Sequence, residues 1–570
     1  MSDRSRFALV VVVAGALMLT GCADIPTRGA VHVGRPLSAV GGLGDVDVRV
    51  QPPQARPGMS VTDVVRGFLR AVVNSDGDYE IARSYLTSRA AQEWNASGIT
   101  TYDDGSVELT ENGASNRSRA VKLRVARRGF VDSRGEFSPQ AGPLRTTFRL
   151  VRQHGEWRID RLADGVLLST SDGQRALRLA TLFFADRTRR WLVPQQLLMR
   201  PQAVGFTTAT VRALLAGPGP WLAPAVRTGF PPGVSLIGNV AVGPSGTAEV
   251  NLSSAVRQAS AAQLRELAAQ IVWTLSQDSQ ITAVRLLADS SPLNIPNAPA
   301  VQTRATWGDF NPAPPVDLPA FFARSNGWRS TTGGSNPSLQ SAAGLADLAM
   351  TADGRILAAI GGRPGHRRLL TWHSGGRPET RLSARTLTPP ATDRSGNVFV
   401  VAGHGRRTDV VAVTPSGDRV HVGAPALASA PVQALSISPD GSRVAAVVGP
   451  HGSRRLLVGR VSSAGQGLVF DGFRNVLPTW QGVSGVSWDG AEQLAVTAAD
   501  DAGHRRLLVV DADGYSWRVV STDGVRGEPV ATAAAPGHPM LVVAGGAVWT
   551  VRASGGWRRV GAGQQPAYPG

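Results

Sequence analysis

Apolar positions between residues 61 and 73 recur every three or four places, so Val61, Val64, Val65, Phe68, Leu69, Val72 and Val73 line one face of a predicted helix. Ile81, Ala82, Tyr85, Leu86 and Trp94 predict a second helix. The period then drops to two. Val121, Leu123 and Val125 alternate with polar residues, and Phe148 and Leu150 face Trp157 and Ile159 across the turn Gln153-His154-Gly155-Glu156, which predicts a hairpin with one buried face. Helices followed by antiparallel strands make residues 57–175 an α+β module.

Residues 176–297 form a second α+β pattern. A strand at 180–185 and the segment Leu192-Val193-Pro194 precede a helix carrying Val211, Leu214 and Leu215 on one face, stopped by Ala216-Gly217-Pro218-Gly219-Pro220. A strand around 236–242, the turn Pro244-Ser245-Gly246 and a strand at 248–252 follow. Ser260-Ala261-Ala262-Gln263 reads as a capping box opening a helix with the stripe Leu264, Leu267, Ala268, Ile271, Val272 and Leu275, and a strand at 283–287 ends the domain. Asn251, Ser253 and Ser254 read as a turn or as a small polar site. Residues 298–340 are rich in Pro and read as a connector. Beyond it the chain repeats: Asp353-Gly354, Ser395-Gly396, Asp440-Gly441, Asp489-Gly490 and Pro536-Gly537 stand about 42–49 residues apart, each between two short apolar runs. That period predicts an all-β propeller over 341–565, with five blades visible and a sixth if the connector supplies strands.

The N-terminus changes the picture from architecture to location. Arg4 and Arg6 precede an apolar run at 7–19, too short to span a bilayer comfortably, and the run ends at Leu19-Thr20-Gly21-Cys22. This resembles the lipobox of a bacterial lipoprotein. Residues 1–21 are then a signal peptide, and Cys22 carries a diacylglycerol whose two chains hold the protein on the extracytoplasmic face of the cell membrane, where a single chain would let it go. Residues 22–56 read as a flexible tether. Cys22 is the only cysteine, so the cores stand without intramolecular disulfides.

Charge adds a question of partners. The 59 Lys and Arg residues outnumber 42 Asp and Glu, giving a formal net charge of +17, and Lys122 is the one lysine. A GC-rich genome explains such arginine usage, as does an anionic envelope polymer or phospholipid as partner; nucleic acid is excluded for an exported, tethered chain. The propeller repeat also carries basic doublets, Arg367-Arg368, Arg406-Arg407, Arg454-Arg455 and Arg505-Arg506, each with a His close by and each beginning 10–15 residues after the Gly of its turn. That places them between the second and third strands of four blades, as a collar on the disc face opposite the Asp-Gly turns. Descent from one ancestral blade and an anionic-partner site both account for it. There is no His-Glu-x-x-His, no Gly-x-Ser-x-Gly and no P-loop, so the chain reads as a non-enzyme with no cofactor and no metal site.

Two helices leading into antiparallel hairpins resemble the NTF2-like cone. The helix end Leu214-Leu215-Ala216-Gly217-Pro218 and the run Gln270-Ile271-Val272-Trp273-Thr274-Leu275-Ser276-Gln277 are similar to the GerMN domain. Lipobox, NTF2-like module, GerMN domain and propeller in this order resemble the actinobacterial LpqB lipoprotein family. The resemblance implies a membrane-anchored, non-enzymatic accessory of a two-component system. Its partner would be the extracytoplasmic domain of the sensor histidine kinase MtrB, in cell-envelope homeostasis and division. A wall-glycan or lipid-binding receptor without a kinase role is the second reading.

Overall fold

Ser60 opens the first helix, Val61–Ala71, by accepting the Asp63 backbone N–H, and Val64, Val65 and Phe68 are buried beneath it. The computed structural model describes residues 52–570 except 114–116, 202–203, 315, 334–336, 405–406, 466 and 553–554. The expected signal peptide, Cys22 and most of the tether lie outside the described residues.

The second predicted helix is two short ones, Asp76–Arg83 and Ser88–Glu93. Between them Leu86 bridges to Ile159 in the sheet, and the Thr87 hydroxyl accepts the Ala90 N–H at 3.2 Å to cap the next helix. Pairing with the sheet overrides the apolar period. The helices pack on a sheet ordered Glu156–Arg161, Phe137–Gln153, Ser118–Val131, Ile99–Tyr102, Val166–Ser169, with Glu108–Asn112 also pairing with Ser118–Val131. The hairpin turn is built on His154 and Gly155, at φ of 51° and 84°, the two left-handed residues that a twisted two-residue turn needs.

In the second domain, Thr247–Leu252 and Ala283–Ala288 are parallel and joined by the helix Ala261–Leu275, whose capping box forms: Ser260 N–H donates to the Gln263 amide oxygen at 3.0 Å, and Gln263 N–H to the Ser260 hydroxyl at 3.3 Å. This helix lies on the strand Arg178–Asp186, and its buried Gln270 and Thr274 face that strand rather than solvent. Gln270 donates to the Phe183 carbonyl at 3.1 Å and accepts the Gly229 N–H at 2.8 Å, while Thr274 accepts the Phe183 N–H at 3.1 Å. The strand expected at 236–242 shortens to Ala241–Val242 plus a bridge from Leu236 to Leu252. Asn251 clamps a turn: its side chain accepts the Ser290 N–H at 2.9 Å and donates to the Ser290 hydroxyl at 3.1 Å.

The propeller has six sheets around one axis. Four are four-stranded, opening at Ala346–Met350 (blade I), Val432–Ile437 (III), Gln481–Trp488 (IV) and Pro529–Ala533 (V), and in blade II the second strand, Val398–His404, pairs on its inner edge with both Thr386–Leu387 and Ala391–Thr392. The sixth takes its inner strand, Gln564–Ala567, from the end of the fold and two outer strands, Phe321–Arg324 and Gly327–Ser330, from the Pro-rich stretch. Inner strands touch in the order I, II, III, IV, V, VI and back to I, so the ring closes by pairing the two ends of the propeller segment. The propeller therefore reaches back to residue 321, into the stretch read as connector, and forward to 567, beyond the expected end at 565.

Candidate partner-binding face

Each blade puts its first-to-second and third-to-fourth hairpins on one face of the disc and its second-to-third hairpin on the other. On the first face stand the Asp-Gly turns. Their carboxylates accept backbone N–H groups inside the turn, as Asp353 does from Arg355 at 3.0 Å and Asp440 from Ser442 at 2.7 Å, which is why Asp recurs there.

The other two domains dock on this side. Trp191 donates from its indole to the Asp440 carbonyl at 2.7 Å, and Arg394 lies 4.5 Å from the Trp191 ring centre. Arg443, buried, reaches both the Asp440 carboxylate at 3.3 Å and the Pro194 carbonyl. Trp221 donates to the Gly472 carbonyl at 2.7 Å along the outer strand of blade III, and Arg474 pairs with Glu136 at 3.1 Å. Phe137 meets Tyr515 edge-on at 5.3 Å, so the N-terminal domain also touches blade IV. Behind this junction Asp513 is half-buried, and desolvation pushes its carboxyl up to about 7; Glu492, also half-buried, is raised by desolvation too, with Arg443 partly offsetting it. Sequence reasoning missed all of these contacts.

At the axis on the same side lies a cavity of about 600 Å³, walled by Ile356, Ile437, Trp488 and several prolines and rimmed by Asp353, Arg355 and His373. Its inner polar groups bond one another: Thr351 donates to Asp353 at 2.6 Å and Ser438 to Asp440 at 2.7 Å. Among the described residues no three His, Cys, Asp or Glu side chains converge as metal ligands.

The arginine doublets occupy the other face. Arg367 and Arg368 follow the hairpin joining Ile356–Arg363 to His366–His373; Arg407 begins the third strand of blade II; Arg454 and Arg455 end the hairpin before Arg455–Ala464; and Arg505 and Arg506 open Arg505–Asp511. Arg406 lies outside the described residues, as do Leu19, Thr20, Gly21 and Cys22. The first Arg of three doublets, Arg367, Arg454 and Arg505, is half-buried, and the second, Arg368, Arg455 and Arg506, is exposed. Their surroundings differ by blade. Arg454 is tied to His451 Nδ1 at 3.0 Å and Arg506 to Asp500 at 3.4 Å. On blade I, Arg363 and Arg385 join Arg367, Arg368 and His366 around an open cleft of about 550 Å³ with no carboxylate in its wall. Arg367 also acts on Asp347, which is half-buried, raised by desolvation and partly held down by that guanidinium. Arg363 and Arg385 lie outside the repeated doublet and were invisible as a pattern. Among the described residues, none of the hydrogen bonds, ion pairs or ring contacts joining the domains involves these hairpins.

The fold is thus that of a multidomain protein in which a GerMN domain and an N-terminal α+β domain sit on a C-terminal β-propeller. Comparison with known proteins agrees domain by domain: "Lipoprotein LpqB, N-terminal domain" matches residues 54–174, "Sporulation and spore germination" residues 181–294, and "Lipoprotein LpqB beta-propeller domain" residues 330–569. The chain belongs to the LpqB lipoprotein family. It is 30% identical to Lipoprotein LpqB of Thermobifida fusca, covering 97% of each chain, and 29% identical to that of Streptomyces coelicolor, covering 100% of this chain and 98% of the relative. Among solved structures it is similar to TolB from Acinetobacter baumannii (12% identity, 51% of this chain and 84% of that one, TM-score 0.33). It is also similar to the first GerMN domain of GerM from Bacillus subtilis (22% identity, 21% and 89%, TM-score 0.18). No described helix is long and apolar enough to cross a membrane.

Proposed function

We propose that this lipoprotein is anchored through Cys22 on the extracytoplasmic face of the membrane. There it acts, without catalysis, by binding the extracytoplasmic domain of the sensor histidine kinase MtrB through the arginine-bearing face of its propeller. The observation that carries this reading is the asymmetry of the disc. One face is taken up by the protein's own domains, and the other presents Arg368, Arg455 and Arg506 exposed, with none of the interdomain contacts. A ring of guanidinium groups suits a carboxylate-bearing protein surface, which it would steer and orient. The partner is the one the family resemblance implies. Binding shifts the kinase equilibrium only in so far as it favours one of the kinase's states.

The test measures affinity of the purified protein for the purified kinase ectodomain. The Arg368→Glu, Arg455→Glu, Arg506→Glu triple variant is expected to bind at least tenfold more weakly. Unchanged affinity would remove the arginine face from the reading. Retention on cell-wall fractions with no binding to the ectodomain would replace the kinase by a wall glycan.

A further inference from the structure

The outward face of the N-terminal sheet carries a second basic surface, which the repeat pattern of the propeller does not foreshadow. Strands Ser118–Val131, Phe137–Gln153 and Glu156–Arg161 alternate around the buried Val121, Leu123, Val125, Phe148, Leu150 and Ile159, with register shifts between Arg127 and Gly129 and between Arg149 and Leu150, the second of which turns Arg161 to the solvent side. On that solvent side Lys122, Arg124, Arg145, Arg149 and Arg161 are all exposed. The strand register puts Arg124 directly opposite Arg145, and Arg149 directly opposite Arg161.

Like charges directly opposite across strands destabilise a sheet. Glu108 lies 3.3 Å from Arg124, and the strand Glu156–Arg161 brings Glu156 and Asp160 to the edge of this side, Asp160 being taken by Arg89 at 2.9 Å; Lys122, Arg145, Arg149 and Arg161 have no ion pair among the described residues. The strands Ser118–Val131 and Phe137–Gln153 carry Lys122, Arg124, Arg145 and Arg149 on this side and no carboxylate at all, whereas across the whole chain 59 basic residues stand against 42 acidic ones. The charges stand on neighbouring strands about 4.8 Å apart with residues about 7 Å apart along each strand. An array of cations at this spacing is complementary to an array of anions.

We propose that this sheet face rests on an anionic phospholipid surface. The inference rests on the anchored reading above for its setting, since this domain directly follows the expected tether of residues 22–56 and is therefore the one kept nearest the bilayer. Each exposed cation adds an increment of attraction to an anionic leaflet that salt screens. The surface orients the tethered protein instead of holding it.

The experiment uses the protein from residue 52 onward, one compact unit without Cys22, so that it reads the sheet face and not the anchor. Co-sedimentation with vesicles containing phosphatidylglycerol is compared with pure phosphatidylcholine vesicles. Binding to the first and not the second is expected, lost in 0.5 M salt. The Lys122→Gln, Arg145→Gln, Arg149→Gln, Arg161→Gln variant should partition at least tenfold less, with a melting temperature unchanged or raised because opposed charges are removed. A propeller control, Arg368→Gln, Arg455→Gln, Arg506→Gln, should stay within twofold of wild type. Equal binding to both vesicle types overturns the proposal, as does equal loss in the control, or retention on cell-wall polymer with none on phosphatidylglycerol. Loss of kinase binding in the control with vesicle binding kept would separate this surface from the propeller face.

Discussion

The two faces of the propeller are built from the same element, a hairpin carrying charged residues, repeated around one axis. On the Asp-Gly face the charges are matched and desolvated: Asp440 with Arg443, Glu136 with Arg474, and Arg394 against the Trp191 ring. On the opposite face Arg368, Arg407 and Arg455 stand in solvent without an ion pair among the described residues. Matched charge in a closed junction holds domains together, because removing one partner strands the other. Unmatched charge in solvent contributes little to stability and is free to meet something else. The faces thus divide between cohesion and availability.

The contrast breaks most sharply at Asp440. Its carboxylate faces Arg443 at 3.3 Å, and both side chains are buried. Asp440→Ala leaves a guanidinium without its counter-ion and the turn without its N–H acceptor, and is expected to cost about 3–5 kcal/mol in chemical denaturation. Arg443→Met combined with Asp440→Asn removes both charges and keeps the acceptor, and should recover most of that loss. If Asp440→Ala costs no more than an exposed substitution, the buried Asp440–Arg443 pair does not carry the stability assigned to it.

A smaller effect comes from pH. Desolvation raises Asp513 to about 7 and also raises Glu492 and Asp511, with Arg443 partly offsetting the first two and Arg518 the third. An acid whose folded value lies above its unfolded one binds more protons when folded. Stability is then full at acid pH and falls as pH climbs from the unfolded value near 4 to the folded value near 7. Unfolding free energy from chemical denaturation, followed from pH 5 to 8, should fall by on the order of 1–3 kcal/mol, and Asp513→Asn should flatten the profile. A profile that rises over this interval would contradict the desolvation of Asp513.

Most of the local structure could be read in the chain because its causes are local. The capping box at Ser260 and Gln263, the His154-Gly155 turn and the spacing of the Asp-Gly turns each depend on residues within a few positions of one another. What escaped depends on distance along the chain. Trp191 finds the Asp440 carbonyl across 249 residues, and the sixth blade pairs Phe321–Arg324 with Gln564–Ala567, which no periodicity can announce. Gln270 falls outside the apolar stripe of its helix, yet it is fully buried, with its amide bonded to the Phe183 carbonyl and the Gly229 N–H. The doublets were legible as a repeat. That blade I gathers Arg363 and Arg385 into a cleft was not, since those residues come from different hairpin and strand ends.

The smallest effect is the one that gives the comparison its meaning. Arg455 is exposed at the start of its strand, has no carboxylate partner among the described residues, and has its backbone paired with Val448. Arg455→Ala keeps that pairing and strands no buried charge, so the change in unfolding free energy should stay within about 0.5 kcal/mol. Set beside the loss expected at Asp440, the same kind of substitution on a hairpin of the same blade would differ several-fold with the face on which it falls. A cost above about 1.5 kcal/mol at Arg455 would mean that the arginine face also carries part of the fold. Its availability to a partner would then be bounded by the stability it must keep.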